Sequence, residues 1–238
     1  MALPLYLAAT GPEMSAISQH SFPLAYMACH FSPYTQGLTN IPSTLPDGSM
    51  LILTDRMPCQ GHSADLVVQQ LQDVVERYHC ESLLLDFQRP PEPESEQMVA
   101  RIIHSLSCPV AVTEGFAKGH SCPVFLSPAP LHIPLSEHLV PWQDREIWLE
   151  TALEQEEITV EENGTTYSRI FPADGLDGGF LSEELCCHYR LKTDHDRVMF
   201  TLFDTMGSLR KKLELAASLG MTRAVGLWQE LGTFLAGK

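Results

Sequence analysis

The 238 residues contain no C-x-x-C pair, no G-x-G-x-x-G and no P-loop, so zinc-ribbon and thioredoxin-type motifs and the standard nucleotide sites are excluded. Basic side chains are scarce. Fifteen Lys and Arg stand against thirty Asp and Glu, for a formal charge of −15. That field repels nucleic acid and anionic lipid over a Debye length of about 8–10 Å, and neither is expected as a partner. No apolar run approaches the roughly 20 residues that span a bilayer. Met1–Thr10 lacks a basic n-region and is interrupted by Pro4, so it reads as a first strand rather than a signal peptide, and a cytoplasmic location is expected. Internal repeats and low-complexity tracts are also missing. What is present is 44% hydrophobic and 19% charged, a balance that excludes intrinsic disorder and supports a large core.

The seven cysteines are odd in number and scattered at mostly apolar positions, as expected of reduced, buried thiols. In an extended chain Cys186 and Cys187 point to opposite sides, so only one of them is expected to be buried. His120-Ser-Cys122 and Cys186-Cys187-His188 lack a closed zinc spacing, and neither a metal nor a cofactor is expected. Asn163-Gly-Thr165 matches a glycosylation acceptor, but Asn-Gly is foremost a turn dipeptide.

Apolar, β-rich runs recur at 3–10, 24–31, 50–54, 82–87, 109–113, 123–127, 146–149, 198–203 and 224–228. Most are continuous rather than alternating, the pattern of parallel strands buried on both faces. Helical spacing fills Ser63–His79, Glu94–Cys108 and Ser208–Leu219, with Ser63 and Ser95 as opening caps and Gly220 as a stop. Such βα alternation over this length predicts an α/β fold, a single (β/α)8 TIM barrel spanning residues 1–238, with an open doubly wound sheet as the alternative. Strand number and length favour the barrel. Gly11–Phe22 and Ser32–Gly48 are rich in Pro, Ser, Thr and Gly, so the first crossovers are expected to be helix-poor and the barrel irregular. A small β-hairpin insertion is predicted near 157–170, where Ile158–Val160 and Thr166–Ser168 flank Asn163-Gly164. Phe171–Gly179 reads as a surface loop.

The segment Glu81-Ser-Leu-Leu-Leu-Asp86-Phe-Gln88, followed by a Pro- and Glu-containing turn and a helix, resembles the fourth strand of family 18 glycoside hydrolases, the chitinase-like barrels, and especially their bacterial spore-cortex peptidoglycan branch. Leu24–Phe31 through Gly37-Leu38 is similar to that branch's second strand and loop. Arg197–Asp204, the helix carrying Ser208 and Lys212, and Leu219–Trp228 are similar to its closing segment, so the resemblance spans most of the chain in order. It implies an N-acetylglucosamine-type glycan partner, and it makes a spore association compatible with the chain.

On that motif Asp86 takes the place of the inner aspartate, Leu84 replaces the preceding one, and Gln88 occupies the position of the catalytic glutamic acid. The strand-six Tyr-Asp of the family is replaced by Val124–Pro130. In the family's chemistry the acid protonates the leaving oxygen while the substrate's own acetamido group attacks. An amide has no proton to give at neutral pH, although it can hydrogen-bond the same oxygen. The resemblance further implies an aromatic floor at Trp228, for which core packing is an equal alternative; Tyr6 and Phe31 are additional ligand-binding candidates. Asp55, Glu114, Glu150 and Glu230 follow predicted strands, and Glu114 is the leading candidate for a re-sited acid; ordinary charged strand ends, common in any barrel mouth, are the favoured explanation for them. The expected function is therefore a non-hydrolytic, carbohydrate-binding or recognition barrel. The alternatives are an active hydrolase of N-acetylglucosamine-containing glycans with a re-sited acid, and an interaction barrel without a ligand.

Overall fold

The computed structural model describes residues 3–17, 19–20, 22–170 and 178–235. The chain runs through β1 (Leu5–Ala9), the single turn α1 (Met14–Ile17), β2 (Leu24–Phe31), the two-residue β3 (Leu38–Thr39), β4 (Met50–Thr54), α2 (Ala64–Arg77), β5 (Ser82–Asp86), α3 (Pro93–Ser105) and β6 (Val110–Thr113). It continues through α4 (Glu114–Ala117), β7 (Val124–Leu126), α5 (Leu135–His138), β8 (Ile147–Thr151), β9 (Gln155–Glu161), β10 (Gly164–Ile170), β11 (Phe180–Ser182), β12 (Cys187–Asp194), β13 (Arg197–Phe203), α6 (Met206–Ser218), β14 (Arg223–Leu227) and α7 (Trp228–Leu235). Strands β1, β2, β4, β5, β6, β7, β8 and β14 pair in parallel, and the β1–β14 and β1–β2 pairings close them into a barrel. The open-sheet alternative is thereby excluded.

Alternation along each strand sorts side chains between two cores. Leu84 points into the lumen with Ala8, Ile52, Ala111, Phe125, Trp148 and Val225. Its neighbours Leu83 and Leu85 face outward into the layer shared with Val67 and Leu71 of α2 and Val99 and Ile102 of α3. Both faces of β5 are thus dry, which is why its sequence reads as an unbroken apolar run.

The crossovers are as helix-poor as expected. Among the described residues the connection from β2 to β4 holds only β3, and α1, α4 and α5 are four residues each. Two helix starts differ from their expected places. Ser95 is the third residue of α3, where it bonds back to the Glu92 N–H at 2.9 Å, and Pro93 opens the helix. Helix α6 begins at Met206 behind Thr205, whose hydroxyl accepts the Ser208 N–H at 3.2 Å.

The predicted hairpin is present as β9 and β10 but belongs to a larger unit, a five-stranded antiparallel sheet in the order β10-β9-β13-β12-β11. Its turn is Glu162-Asn163, and Gly164 opens the returning strand at φ +140°. The run at 198–203, read as one of the βα strands, is β13 of this sheet, antiparallel to β9 and β12. Of the predicted loop Phe171–Gly179, residues 171–177 lie outside the described residues. Cys186 and Cys187 are both buried, at 6% and 0% exposure. Cys186 sits at φ +50° rather than in a strand, so the two side chains do not diverge as in an extended chain.

The sheet is fastened to the barrel by Asp204, just after β13. Its buried carboxylate receives the Lys212 ammonium at 2.8 and 3.1 Å and the Ser208 hydroxyl at 3.1 Å. Its backbone N–H donates to the Glu154 carbonyl at 2.8 Å. Removing one partner of a buried pair leaves an uncompensated charge, at a cost of about 3–5 kcal/mol. Lys212→Met is therefore expected to destabilise the fold by about that much in urea denaturation, and a second change, Asp204→Asn, to restore part of it. A loss below about 1 kcal/mol for Lys212→Met would show that the pair is not a fastening.

Candidate functional site at the barrel mouth

The C-terminal ends of β1, β2, β4 and β5 and the segments after them line a cleft of about 1060 Å³, with Tyr26, His30, Asn40, Arg56, Asp86 and Gln88 among its walls. Barrel enzymes and binders place their sites on this face because the strand ends there carry loops free of packing duty. Inward alternation along β5 sets Leu84 in the lumen, Asp86 at its rim and Gln88 above, so both polar residues reach the cleft as the two-residue spacing predicts.

Asp55, directly after β4, holds this rim in shape. One carboxylate oxygen accepts the Gln88 N–H at 2.9 Å and the other the Arg89 N–H at 2.8 Å, while Arg89 Nε donates to the Asp55 carbonyl at 3.0 Å. At 8% exposure Asp55 is a clamp on the β5 turn rather than a free acid. Above it, the Gln88 side-chain amide donates to Asp86 Oδ1 at 2.5 Å. Burial pushes the Asp86 carboxyl up; the Gln88 hydrogen bond pulls it back, and the Asp55 charge adds to the rise.

Opposite Asp86, Glu150 of β8 points inward above Trp148. The two carboxylates share a small lumen pocket of about 40 Å³ with Ala8, Ile52, Phe125 and Leu227. Burial, then the negative charges of Asp86, Glu154 and Glu230, push the Glu150 carboxyl up to about 7, against the opposing Arg169. Glu150 lines this lower pocket and is not among the residues lining the cleft.

The remaining expected site residues lie elsewhere. Glu114 opens α4 and accepts the Ser127 N–H at 3.3 Å, outside the cleft lining. Glu230 sits on α7, where burial raises its carboxyl and one oxygen has no hydrogen-bond partner among the described residues. Tyr6 closes the opposite end of the barrel: its hydroxyl donates to Glu81, and burial followed by Glu81 raises the phenol to about 12. Arg223 covers the Trp148 ring there at 4.6 Å. Phe31 is fully buried outside the lumen, 5.7 Å from the Phe87 ring and 5.1 Å from His62. Trp228 begins α7 instead of ending β14. Val225 and Leu227 take the inward places, so Trp228 turns outward to pack beside Leu231 and against His20 at 5.8 Å. Gly232 leaves room for its ring, since a Cβ there would lie 2.7 Å from it.

Sequence reasoning did not single out Tyr26, His30, Asn40 or Arg56 as cleft residues. The register of β2 against β4 slips between Tyr26 and Cys29, and this bulge turns Tyr26, Met27, Ala28 and His30 all toward the cleft. Tyr26 is tied there through its hydroxyl to the Asn40 carbonyl at 2.9 Å, and Asn40 Nδ2 lies 3.2 Å from His30 Nε2. Among the described residues no three His, Cys, Asp or Glu come together as a metal-holding group, and no helix is long and apolar enough to cross a membrane.

No family model matches the sequence, and no curated protein sequence matches it. Solved structures do resemble the fold. A class V chitinase from Nicotiana tobaccum, a Glu-to-Gln mutant in complex with NAG4, superposes with a TM-score of 0.61 at 10% identity, over 96% of this chain and 94% of that one. A GH18 chitinase from Cycas revoluta, a mutant in complex with (GlcNAc)4, gives a TM-score of 0.60 at 12% identity, over 98% and 97% of the two chains. The spore cortex-lytic enzyme SleL from Bacillus megaterium gives 0.54 at 10% identity, over 95% and 70%. The fold is therefore a (β/α)8 barrel similar to those of these solved chitinases and of SleL.

Proposed function

We propose that this protein binds an N-acetylglucosamine-type glycan in the cleft above Asp86 and Gln88 and does not hydrolyse it. The observation that carries the reading is the pairing at the cleft floor, where the Gln88 amide and the Asp86 carboxylate are hydrogen-bonded to each other. An amide there offers a hydrogen bond to a glycosidic oxygen but no proton, and general-acid help is worth about 10²–10⁴-fold. The other carboxyls do not replace it. Asp55 has both oxygens occupied by backbone N–H groups, Glu114 lies outside the cleft lining, and Glu150 lines the lumen pocket and not the cleft.

Binding is supported by the cleft itself. A volume of about 1060 Å³ accommodates several sugar rings, and ligand sites commonly occupy about 300–1,000 Å³. The tobacco and Cycas chitinases of the same fold were solved with NAG4 and (GlcNAc)4. Tyr26, His30, Asn40 and Arg56 supply hydroxyl, imidazole, amide and guanidinium groups of the kind that recognise sugar hydroxyl and acetamido groups.

Calorimetry with chitotetraose is expected to detect binding to the wild type. Gln88→Ala should weaken it about threefold to tenfold, the worth of one hydrogen bond. A thermogram indistinguishable from dilution would reject the glycan in favour of an interaction barrel. With a fluorogenic chitobioside, the wild type is expected to release no product above background. Gln88→Glu alone is expected to remain poor, because Leu84 and Phe125 fill the lumen below with hydrocarbon. Strong turnover by the wild type would overturn the non-hydrolytic reading, and turnover by Gln88→Glu alone would mean that only the acid is missing.

A further inference from the structure

Two carboxylates on facing strands, Asp86 of β5 and Glu150 of β8, share a lumen pocket of about 40 Å³ whose other walls are hydrocarbon. That space holds no more than a few waters. Two negative charges in such a space repel strongly, and a pair of this kind ordinarily keeps one proton between its members. The side chains around them decide which member is protonated. Gln88 donates its amide N–H to Asp86 Oδ1, an interaction that favours the ionised carboxylate. Among the described residues Glu150 receives no such donor. The charged groups facing it are Asp86 across the lumen, Glu154 just beyond β8, Glu230 on α7 and Arg169 on β10, three anions against one cation. Facing it from the inner walls of β1, β4, β7 and β14 are Ala8, Ile52, Phe125 and Leu227. Asp86 is also wetted from above by the cleft, where His30, Arg56 and Arg89 stand, and it feels Asp55 beside it.

We infer that Asp86 and Glu150 act as one acid–base unit that holds a single proton on Glu150 at neutral pH, and that a ligand covering Asp86 in the cleft locks that proton in place. Among the described residues Asp86 is the one with a titratable side chain common to the cleft and the lumen pocket. A sugar ring laid over it removes the water that tolerates a second charge below, so the complex forms with Glu150 protonated. Ligand capture is then linked to proton uptake on the alkaline side of Glu150. The linkage rests on the glycan-binding reading; the shared proton does not.

The shared proton is tested without any ligand. In protein labelled at the glutamate side-chain carboxyl carbon, one resonance, identified by its loss in Glu150→Gln, is expected to titrate near 7. Its midpoint is expected to fall when the facing charge is removed by Asp86→Asn. A Glu150 midpoint in the ordinary glutamate range of the wild type would overturn the inference, as would a midpoint indifferent to Asp86→Asn. Stability gives a second check with a fixed sign. The folded protein keeps this proton to about 7 whereas the unfolded chain releases it near 4.5, so the group's contribution to stability is fully present below about 4.5, falls as pH rises between those values and is lost above about 7. The wild type is therefore expected to lose stability relative to Glu150→Gln across that interval, and parallel curves would count against the inference. For the linkage, chitotetraose affinity is expected to weaken about tenfold from pH 6 to pH 8 in the wild type and to stay flat in Glu150→Gln. Equal slopes in the two proteins would overturn it. Absence of binding at every pH would overturn the glycan reading and the linkage together, while the shared proton stands or falls on the carboxyl resonance.

Discussion

An eight-stranded barrel has an interior just wide enough for side chains to fill, and that constraint governs everything at its mouth. Each inward position must be occupied, and once Ile52, Leu84, Phe125 and Trp148 occupy the middle of the lumen, no water column remains beneath the rim. Whatever polar group stands on the next inward position sits on a hydrocarbon floor. Asp86 and Glu150 are both in that place, one residue pair above Leu84 and Trp148 respectively. Their raised carboxyls follow from the layer below them as much as from their own neighbours. The lower end is sealed by a different device, in which Tyr6 bonds Glu81 and Arg223 lies over Trp148, so ligand access is confined to the upper face.

Above that floor the rim is shaped by one buried carboxylate. Asp55 spends both oxygens on consecutive backbone N–H groups after β5, which fixes where the chain turns and hence where the Gln88 side chain leaves the strand. A charge-assisted pair of this sort is stronger than a neutral one. An amide rather than a carboxylic acid at position 88 has a local electrostatic consequence. A glutamic acid there would add a third carboxyl to Asp86 and Glu150, whereas the Gln88 amide supplies a donor that satisfies Asp86 in its ionised form.

The parts of this architecture legible in the sequence are those set by strictly local patterns. Buried-on-both-faces strands reveal themselves as continuous apolar runs, Ser63 marks the start of α2, and the two-residue period carries Asp86 and Gln88 to one face. Misplaced features have non-local causes. Trp228 was expected at the end of β14, but Val225 and Leu227 already hold the inward places, so parity turns it outward. Phe31 and Tyr6 are aromatic and near strand ends, yet one faces the outer core and the other lies at the closed end, a difference fixed by strand phase and not by residue type. The bulge in β2 breaks the period on which the cleft-facing reading of Tyr26 and His30 would depend. Run β13 is nearly as apolar as a barrel strand because Phe200 and Leu202 bury one face and Phe203 the other, so only its pairing partners reveal the antiparallel sheet.

That sheet is also electrically part of the site. Arg169 of β10 pairs with the buried Glu154 and donates to the Pro128 carbonyl at 2.7 Å beyond β7, so the inserted strand is pinned to both sides of β8. The same guanidinium is the cation that opposes the rise of Glu150. A hairpin added between the seventh and eighth barrel strands thereby sets part of the charge balance inside the lumen. Asp204 and Lys212 close the loop on the other side by joining the end of β13 to α6 and to Glu154. If this fastening loosened, Arg169 would move away from Glu154 and Glu150 would face three anions unopposed. The position of the insertion and the protonation of the lumen are therefore one coupled property, carried by the Arg169–Glu154 ion pair and by the backbone hydrogen bond that joins Glu154 to the Asp204–Lys212 pair.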